Sequence, residues 1–453
     1  MKKPFQLKKF SLIGLDVAEL YRLRDEGHLN FQEAKLIPTY KVGDELGLAS
    51  IFLSSLRLVK EFRESILSSV NLKRSRSMLY LTEFYFTDSS LSKNRLDGLV
   101  LSLTKGKVKD AAGFEFKAKK SQIDNAQIER YLDVASAYLK LSKFVTVSEE
   151  HTADPSLLPY KIAKTPKRLK LFHLSWSFIK TQAHLLLQES GDNSIEDIDQ
   201  VHIMSEVLDY LESDTLGLTN FDRMGKGWKD LVKGVKSGMK PSSELINEAA
   251  GDWYQEQNDI ALKLSKKLGL LVSTNSSRGS KAFEKQLSTY INQITKEHRL
   301  HFELKVKDVK SDIQVYANLF SEVLKVSYSI TPPMDKGNKA KCTWLIKQFE
   351  KGQKKNPEAF KKREEEIQVA VGLKYMSGDI TVPLSEIYSL ADTVPSDREI
   401  TEFSLQLSKQ LEATFKSPVK FVAELETLVF DHYSLFVEDF KTWTPPAPKM
   451  KEE

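Results

Sequence analysis

Two acids and a lysine have the residue types and the spacing of a metal-dependent hydrolytic site. Asp97 is followed 18 residues later by Glu115, and Lys117 comes two positions after Glu115. Carboxylates are the ligands that Mg²⁺ prefers, and a fixed ammonium can orient a water molecule or offset the charge of a transition state. Together these residue types suit the cleavage of a phosphodiester.

Strand-like segments carry these three residues. The segment "RLDGLVLSLT" contains Asp97, and "AAGFEFKAK" contains Glu115 and Lys117. Because alternate residues of a strand share a face, we expect Glu115 and Lys117 to project together, with Phe116 on the opposite face. Asp97 lies near the start of its strand and meets them if the two strands pair.

The neighbouring segments give an ordered set of elements. Apolar residues recur three and four positions apart over residues 46–70 and 125–141, which predicts amphipathic helices. Aromatic and β-branched residues predict strands over residues 77–88 and 143–150. The predicted order is helix, three strands, helix and strand, with the acids and the lysine on the second and third strands.

The same short pattern occurs a second time, at Glu303 and Lys305 in "RLHFELKVKD". A Glu-x-Lys pair on a strand is often a solvated sheet face, and this is the alternative explanation for Glu115 and Lys117. The later copy lacks the amphipathic helix and the apolar strand that follow Lys117. Charged residues in a strand covered by helices need a partner or a purpose, so the context favours chemistry at the first copy.

The order of elements, with an Asp on one strand and Glu-x-Lys on the next, resembles the PD-(D/E)XK nuclease superfamily. Its members share the restriction-endonuclease-like fold. The resemblance covers about residues 45–180, and Leu96 stands where the superfamily name has a proline. The wider chain resembles a group of bacterial proteins that share this core, in which "HLSW" (residues 173–176) and "TWLIKQ" (residues 343–348) recur.

The resemblance implies a Mg²⁺ site, with Mn²⁺ as an alternative cation. Asp97, Glu115 and the carbonyl of Phe116 are implied to hold the metal, and Lys117 is implied to assist the attacking water. The segment "AQIERYL" has Gln127 on the following helix. Superfamily members often have a glutamine there, which is implied to support the lysine or to contact the substrate.

A further acid often precedes the Asp in this superfamily. Glu83 in "LTEFYF" is the candidate metal ligand, because its neighbours Leu81 and Phe84 are strongly apolar. Glu61 and Glu64 on the preceding helix are its competitors, and a plain helix surface is the favoured explanation for both.

The activity implied by the resemblance is hydrolysis of DNA phosphodiester bonds, in defence against foreign DNA or in repair. DNA is favoured over RNA by analogy alone. Superfamily members often act as dimers, so a homodimer is a further expectation. Two alternatives stay open: a catalytically inactive nucleic-acid-binding protein that retains the fold, and a regulatory protein whose C-terminal domain binds a partner protein.

The composition is that of a globular protein. Hydrophobic residues are 41% and charged residues 28% of the 453 residues. The net charge of 67 − 62 = +5 is compatible with a polyanionic partner without requiring one. No run of 18 apolar residues is present, so no membrane span is expected. Cys342 is the only cysteine, which excludes an intramolecular disulfide and a multi-cysteine zinc site and fits a cytoplasmic location.

Three regions are predicted for this α/β chain. Residues 1–185 form the restriction-endonuclease-like core with its helical lead-in, residues 186–271 a helical middle section, and residues 282–445 a C-terminal α+β domain of unknown role. The polar, glycine-containing stretch 272–281 is the predicted linker.

The C-terminal domain has its own predicted order of elements. Successive strands are expected between residues 299 and 330, followed by a helix and then by a hairpin closed around residues 377–379. Two helices, over residues 399–414 and 423–442, are expected to end the domain.

Two basic clusters flank the predicted core, at residues 70–77 and 161–170. They are the predicted DNA contacts, with solvated loops as the alternative explanation. His173 and Ser175 have the residue types of a serine hydrolase, but no G-x-S-x-G turn is present, so a structural role is favoured for both and for Trp176. No glycine-rich phosphate loop is present either, so no internal ATP motor is expected.

Overall fold

Two β-sheets organise this chain, in agreement with the predicted α/β class. The computed structural model describes residues 7, 10–36, 43–73, 75–88, 91, 94–118, 123–160, 162, 165–188, 194–218, 220–274, 282–307, 309–376 and 378–443. The chain divides into two units. The first comprises Met1–Phe221, Asn258–Leu271 and Ser276–Gln286, and the second comprises Asp222–Gln257, Val272–Asn275 and Leu287–Glu453.

A six-stranded sheet forms the centre of the first unit. Its strands are β1 (Leu29–Glu33), β2 (Ser77–Phe86), β3 (Leu96–Thr104), β4 (Lys107–Phe116), β5 (Lys143–Ser148) and β6 (Lys170–Ser175). The strands lie side by side in sequence order. Each neighbouring pair from β1 to β4 is antiparallel, whereas the pairs β4–β5 and β5–β6 are parallel. Its helices are α1 (Val17–Asp25), α2 (Glu45–Leu58), α3 (Lys60–Ser69), α4 (Asn125–Val134, continued by a π-helical turn at Ala135–Leu139), α5 (Trp176–Leu187) and α6 (Ile198–Glu212).

Helices cover both faces of this sheet. On one face, Phe52 of α2 packs against Phe114 and Phe116 of β4, with ring centroids 6.2 and 5.6 Å apart. On the opposite face, Ile128 of α4 belongs to the same buried apolar cluster as Leu99 of β3. Because side chains alternate along a strand, the residue between the two phenylalanines of β4 points towards the α4 face.

The structure has two helices, α2 and α3, where a single helix is predicted over residues 46–70. The prediction is wrong at the break between the two helices. Val59 lies between them with φ −107° and ψ 112°, an extended backbone that suits a β-branched residue. The amide of Lys60, the first residue of α3, donates a 2.6 Å hydrogen bond to Oε1 of Gln200 in α6. A side chain from another helix thus satisfies an amide that a continuous helix would have satisfied itself.

A seven-stranded antiparallel sheet forms the second unit. Its strands follow the order β12-β11-β13-β10-β9-β8-β7. They are β7 (Val272–Thr274), β8 (Arg299–Val306), β9 (Ile313–Asn318), β10 (Val323–Ile330), β11 (Ile367–Leu373), β12 (Ile380–Pro383) and β13 (Ile400–Gln410). The helices numbered after α6 are α7 (Trp228–Lys236), α8 (Ser243–Leu268, whose last residues belong to the first unit), α9 (Ala282–Asn292, shared in the same way), α10 (Asn338–Lys355), α11 (Pro357–Arg363), α12 (Leu390–Thr393) and α13 (Pro418–His432).

Strand β13 replaces the helix predicted over residues 399–414, which is wrong. It pairs along its length with β10 on one side and with β11 on the other. Ile400, Phe403 and Leu407 recur three and four positions apart and all three are buried, so the apolar pattern alone indicates a helix. The central position in the sheet decides against it, because both backbone edges of the extended chain are hydrogen-bonded there.

Other predictions for the second unit are confirmed. Strands β8 to β10 fall between residues 299 and 330, and β11 and β12 form an antiparallel hairpin whose Ser377 lies outside the described residues. Helix α13 overlaps the last predicted helix, residues 423–442, but begins earlier, at Pro418, and a π-helical turn at Tyr433–Val437 continues it. Strand β7 occupies the first three residues of the predicted linker, and residues 275–281 lie outside the described part of the chain. No helix in the described ranges is both long enough and apolar enough to cross a membrane.

Candidate metal centre

Asp97 on β3 and Glu115 on β4 are neighbours across two antiparallel strands. The register pairs Gly98 with Phe114, so the adjoining residues, Asp97 and Glu115, follow side by side on the α4 face. Oδ2 of Asp97 accepts a 2.9 Å hydrogen bond from the backbone amide of Phe116. Both carboxylates are buried, with 8% of Asp97 and 2% of Glu115 exposed, so the pair lies in a largely dehydrated position.

Lys117 completes this group, because it lies two residues after Glu115 and shares its face. Its Nζ lies 2.8 Å from Oε1 of Glu115 and 3.7 Å from Oε2 of Glu45. The backbone of Lys117 is fixed on both sides: its amide donates to the carbonyl of Val147, and its carbonyl accepts a 2.9 Å hydrogen bond from the indole of Trp176. The ammonium is therefore held from a rigid strand end.

Burial disfavours the ionised form of both acids, and the charge of Asp97 adds to this effect for Glu115. Burial, and then the charge of Asp97, raise the pKa of Glu115 to about 9. Burial also raises the pKa of Asp97, against the stabilising hydrogen bond from the amide of Phe116. Burial by itself lowers the pKa of Lys117, but its attraction to Glu115 outweighs this, and the pKa lies above its usual value.

These directions are consistent with a pair of carboxylates that shares one proton. A raised pKa of Lys117 requires negative charge nearby, whereas a pKa of about 9 for Glu115 leaves that carboxyl protonated at neutral pH. Titration of interacting groups belongs to the cluster rather than to one residue. With one proton shared by Asp97 and Glu115, the remaining negative charge is balanced by the ammonium of Lys117.

The donor set fits a divalent cation. Oε2 of Glu115 is buried and has no hydrogen-bond partner among the described residues, although such oxygens are nearly always satisfied in proteins. The carboxyl groups of Asp97 and Glu115 are close enough to hydrogen-bond to each other, which two acids do only when one of them carries a proton. A hard cation with oxygen ligands, such as Mg²⁺ or Mn²⁺, would remove the repulsion and satisfy that oxygen.

The two acids and the lysine line a cavity of about 560 Å³. Strands β1 and β2, the residue before β3, and the first turns of α2 and α4 supply the rest of the lining. These residues are polar, and they include Asn30, Gln32, Tyr85 and Arg95. A polar, partly open cavity beside an acidic pair suits a charged substrate.

Glu83 lies on β2, which pairs with the edge of β3 opposite to β4. It lies next to Asp97 and also lines this cavity. Its backbone is left-handed, with φ 53°. The register of β2 with β3 is the same on both sides of Glu83, whereas the register of β1 with β2 shifts at this point, between Asn30 and Gln32. Oε1 of Glu83 lies 3.0 Å from Nη1 of Arg95. A non-glycine residue in this conformation is strained, and such strain is concentrated at functional sites.

Gln127 and Tyr131 of α4 close the cavity on the helix side. The side-chain amide of Gln127 donates a 2.8 Å hydrogen bond to the hydroxyl of Tyr131. Among the described residues, Gln127 forms no hydrogen bond with Lys117. Burial, and then the charge of Glu115, raise the pKa of Tyr131. The pair therefore presents neutral hydrogen-bonding groups to the cavity.

Glu45 is the residue that sequence reasoning missed. It is the first residue of α2, it lines the cavity, and its carboxylate contacts the ammonium of Lys117. In the sequence it reads as an ordinary acid in a first helical turn. Of the two acids considered on the preceding helix, Glu64 lines a different cavity and Glu61 lies 3.5 Å from Lys60.

The second Glu-x-Lys pair has different surroundings. Glu303 is half-buried and Lys305 is exposed on β8, whose other residues alternate into the core. This is the pattern of a sheet with one solvated face. The two copies of the motif thus differ in burial, and the later copy is a suitable control for the first.

His173 and Ser175 have structural surroundings. His173 is fully buried, with its ring nitrogens 2.9 Å from the hydroxyl of Thr146 and 2.8 Å from the carbonyl of Glu150, and burial lowers its pKa to about 4. The hydroxyl of Ser175 caps α5 by accepting from the amide of Phe178. Both groups are engaged in holding the fold.

The interpretation of this site depends on its geometry, because comparisons with known proteins found no match. Neither protein-family models, nor curated proteins, nor solved structures match this chain.

Proposed function

We propose that this protein is a metal-dependent nuclease of the PD-(D/E)XK type that hydrolyses phosphodiester bonds of DNA. The observation that carries the proposal is the buried pair of Asp97 and Glu115, adjacent on neighbouring strands, with the ammonium of Lys117 2.8 Å from one carboxylate. Without a cation, one of the two acids has to stay protonated at neutral pH, which costs folding free energy and is a poor arrangement for stability alone. Mg²⁺ is the proposed cofactor, with Mn²⁺ as a substitute.

The order of elements supports a restriction-endonuclease-like core. Helices α2 and α3 precede three antiparallel strands, and α4 then leads to β5, which is parallel to β4. The acids lie on the second and third of these three strands, as the resemblance implies. Leu96 in place of the proline is buried and occupies a core position, so the substitution is compatible with the site.

Four groups are proposed to hold the metal: the carboxylates of Asp97 and Glu115, the carbonyl of Phe116, and the carboxylate of Glu83 as a more distant ligand. When bound, a divalent cation polarises the phosphate and lowers the pKa of an attacking water. The protein contributes a dry, pre-formed position in which the oxygens of two strands already converge.

Lys117 supplies positive charge at the reacting phosphate. In the metal-free protein the negative charges of Glu115 and Glu45 raise its pKa, so the group is an ammonium at neutral pH. As an ammonium it donates hydrogen bonds, and it can orient the attacking water and offset the charge that develops in the transition state. Gln127, paired with Tyr131, is proposed to contact the nucleic acid at the cavity wall.

A cleavage assay with matched variants tests this proposal. Linear, circular and single-stranded DNA are incubated with Mg²⁺ or Mn²⁺ and with the wild type, Lys117→Ala or Lys305→Ala. Loss of a single pre-organised charge at a reacting centre lowers rates by about 10²- to 10³-fold, so we expect this loss for Lys117→Ala and wild-type rates for Lys305→Ala. Equal rates for the two variants would contradict the proposal.

A catalytically inactive nucleic-acid-binding protein is the second candidate. It is favoured by the ion pairs that already hold Lys117, since contacts to both Glu115 and Glu45 form a self-contained network. Asp97→Asn separates the two candidates. A nuclease keeps its DNA binding and loses its cutting in this variant, whereas the inactive protein binds DNA and cuts none of it even as the wild type.

A further inference from the structure

A second cavity, of about 730 Å³, lies in the first unit where α2 meets α3. Four basic residues line it: Arg57, Lys60, Arg63 and Arg76. Among its described lining residues, Glu64 is the one carboxylate, so the lining carries four positive groups against one negative group. This is a strongly cationic concave surface in a chain whose overall charge is only +5.

The break between α2 and α3 brings these groups together. Arg57 is in the last turn of α2, and Lys60 is the first residue of α3, with Val59 extended between them. Arg76 precedes β2, which contributes Tyr80 to the lining. Two helices, a connecting segment and a strand therefore position the cationic groups. The two helices, α2 and α3, stand where the sequence predicts one continuous helix over residues 46–70.

Three of the four basic groups lack a carboxylate partner. Among the described residues, no carboxylate forms an ion pair with Arg57, Arg63 or Arg76, whereas Lys60 lies 3.5 Å from Glu61. Arg63 donates to the carbonyls of Leu56 and Arg57, at 3.3 and 3.2 Å, and is thus fixed by the end of α2. Like charges that converge without counter-charges repel one another, and a bound anion removes this repulsion.

This cavity is separate from the acidic one. It opens on the α2–α3 side of the sheet, whereas Glu115 points to the α4 side. Helix α2 has 14 residues, of which Glu45 at its start lines the acidic cavity and Arg57 near its end lines the basic one. At 1.5 Å per residue the two ends are about 20 Å apart, so one ligand atom cannot occupy both sites.

We propose that this cavity binds the phosphate groups of a phosphorylated ligand. Guanidinium groups match phosphate oxygens with paired hydrogen bonds and stay charged at every physiological pH. Two sources of phosphate share this chemistry: the backbone of a nucleic acid, and a small phosphate compound such as a nucleotide. The site acts independently of the acidic pair and needs no divalent cation.

The cavity includes part of one basic cluster predicted from the sequence. Arg76 and Ser75 belong to the cluster at residues 70–77, of which Arg74 lies outside the described residues. Lys161 and Lys164, from the cluster at residues 161–170, also lie outside them. Arg57 and Arg63, which belong to neither cluster, join the site only through the packing of α2 and α3.

Calorimetric titration in EDTA tests this proposal without reference to cleavage. Inorganic phosphate, pyrophosphate and a short DNA oligonucleotide are titrated into the wild type, into the double variant Arg57→Gln/Arg76→Gln, and into Arg223→Gln. Arg57 and Arg76 are exposed, so their replacement leaves the core intact. Arg223 is an exposed arginine already paired with Asp222, and it controls for the loss of a positive charge.

We expect each lost arginine to weaken binding roughly tenfold, and the affinity of the wild type to fall with added salt. If the wild type binds phosphate and pyrophosphate and the double variant does not, the ligand is a small phosphate compound. If the wild type binds only the oligonucleotide and the double variant does not, the ligand is a nucleic-acid backbone. The proposal is overturned if the wild type binds none of the three probes, or if the double variant and Arg223→Gln bind them equally well. Arg63→Lys keeps the positive charge and loses the paired hydrogen bonds of the guanidinium group, so weaker binding by this variant is a second measure of arginine–phosphate contact.

Discussion

The carboxylate of Glu115 lies against that of Asp97 across two antiparallel strands, and neither residue is more than one-tenth exposed. Two buried acids in contact lower the stability of the metal-free protein at neutral pH, and they form the proposed site for a cation. The consequences for stability, for metal binding and for the position of Lys117 can each be measured.

The contribution of Glu115 to the stability of the metal-free protein is expected to fall as the pH rises from about 4.5 to about 9. The pKa of Glu115 is raised from 4.5 to about 9 in the folded protein, so between these values the folded state holds a proton that the unfolded state has lost. This contribution to the free energy of unfolding then decreases by up to about 1.4 kcal/mol per pH unit. Urea unfolding in EDTA at several pH values measures this slope.

Glu115→Gln provides the comparison for that slope. Glutamine cannot ionise, so the variant is expected to lack this part of the pH dependence and to gain stability relative to the wild type as the pH rises. Glu303→Gln, at the exposed copy of the motif, is expected to keep the wild-type slope. Identical slopes for the wild type and Glu115→Gln would show that the acid is not protonated in the folded state.

Glu83 is expected to contribute strain as well as a carboxylate. Glu83→Gly and Glu83→Ala both remove the acid, but only alanine keeps a Cβ at φ 53°. Left-handed backbone costs a residue with a Cβ about 1 kcal/mol, so the glycine variant should be the more stable of the two by about that amount in urea unfolding. An equal stability would mean that the conformation is not strained.

Trp176→Phe is expected to loosen Lys117 without removing a charge. The variant keeps an aromatic ring beside Phe116 and loses the indole donor to the carbonyl of Lys117. A buried acceptor left without its donor costs about 1–3 kcal/mol, measured by urea unfolding. The rate of DNA cleavage is expected to fall while the affinity for Mn²⁺ stays near the wild-type value.

Trp344→Phe is the control for that experiment, because Trp344 is half-buried on α10 of the second unit. It is expected to leave cleavage unchanged. If Trp176→Phe cleaves DNA as fast as this control, the hydrogen bond to Lys117 has no part in the proposed reaction.

Much of the core around Asp97 and Glu115 is predictable from the sequence. Consecutive strands joined by short connections tend to pair, and alternation along β4 puts Glu115 and Lys117 on one face. Glu45 is not predictable in this way, because its contact with Lys117 depends on how α2 packs over the sheet. The basic cavity is missed for the same reason, since it depends on the break at Val59.

The error at β13 has a different cause. Ile400, Phe403 and Leu407 fit a helix as well as a strand when only their spacing is considered. What selects the strand is pairing with β10 and β11, which are distant in the sequence. Local pattern therefore fails where the partners of a central strand are remote, and it succeeds where they are adjacent, as in β2 to β4.

A titration of the metal-free protein with Mn²⁺, by calorimetry in two buffers of different ionisation enthalpy, tests the central claim most directly. We expect the wild type to bind the cation and to release about one proton near neutral pH, because the metal displaces the proton shared by Asp97 and Glu115. Glu115→Gln should bind at least roughly tenfold more weakly, while Glu303→Gln should bind as the wild type does. Equal binding by Glu115→Gln and the wild type, or binding without proton release, would contradict the account.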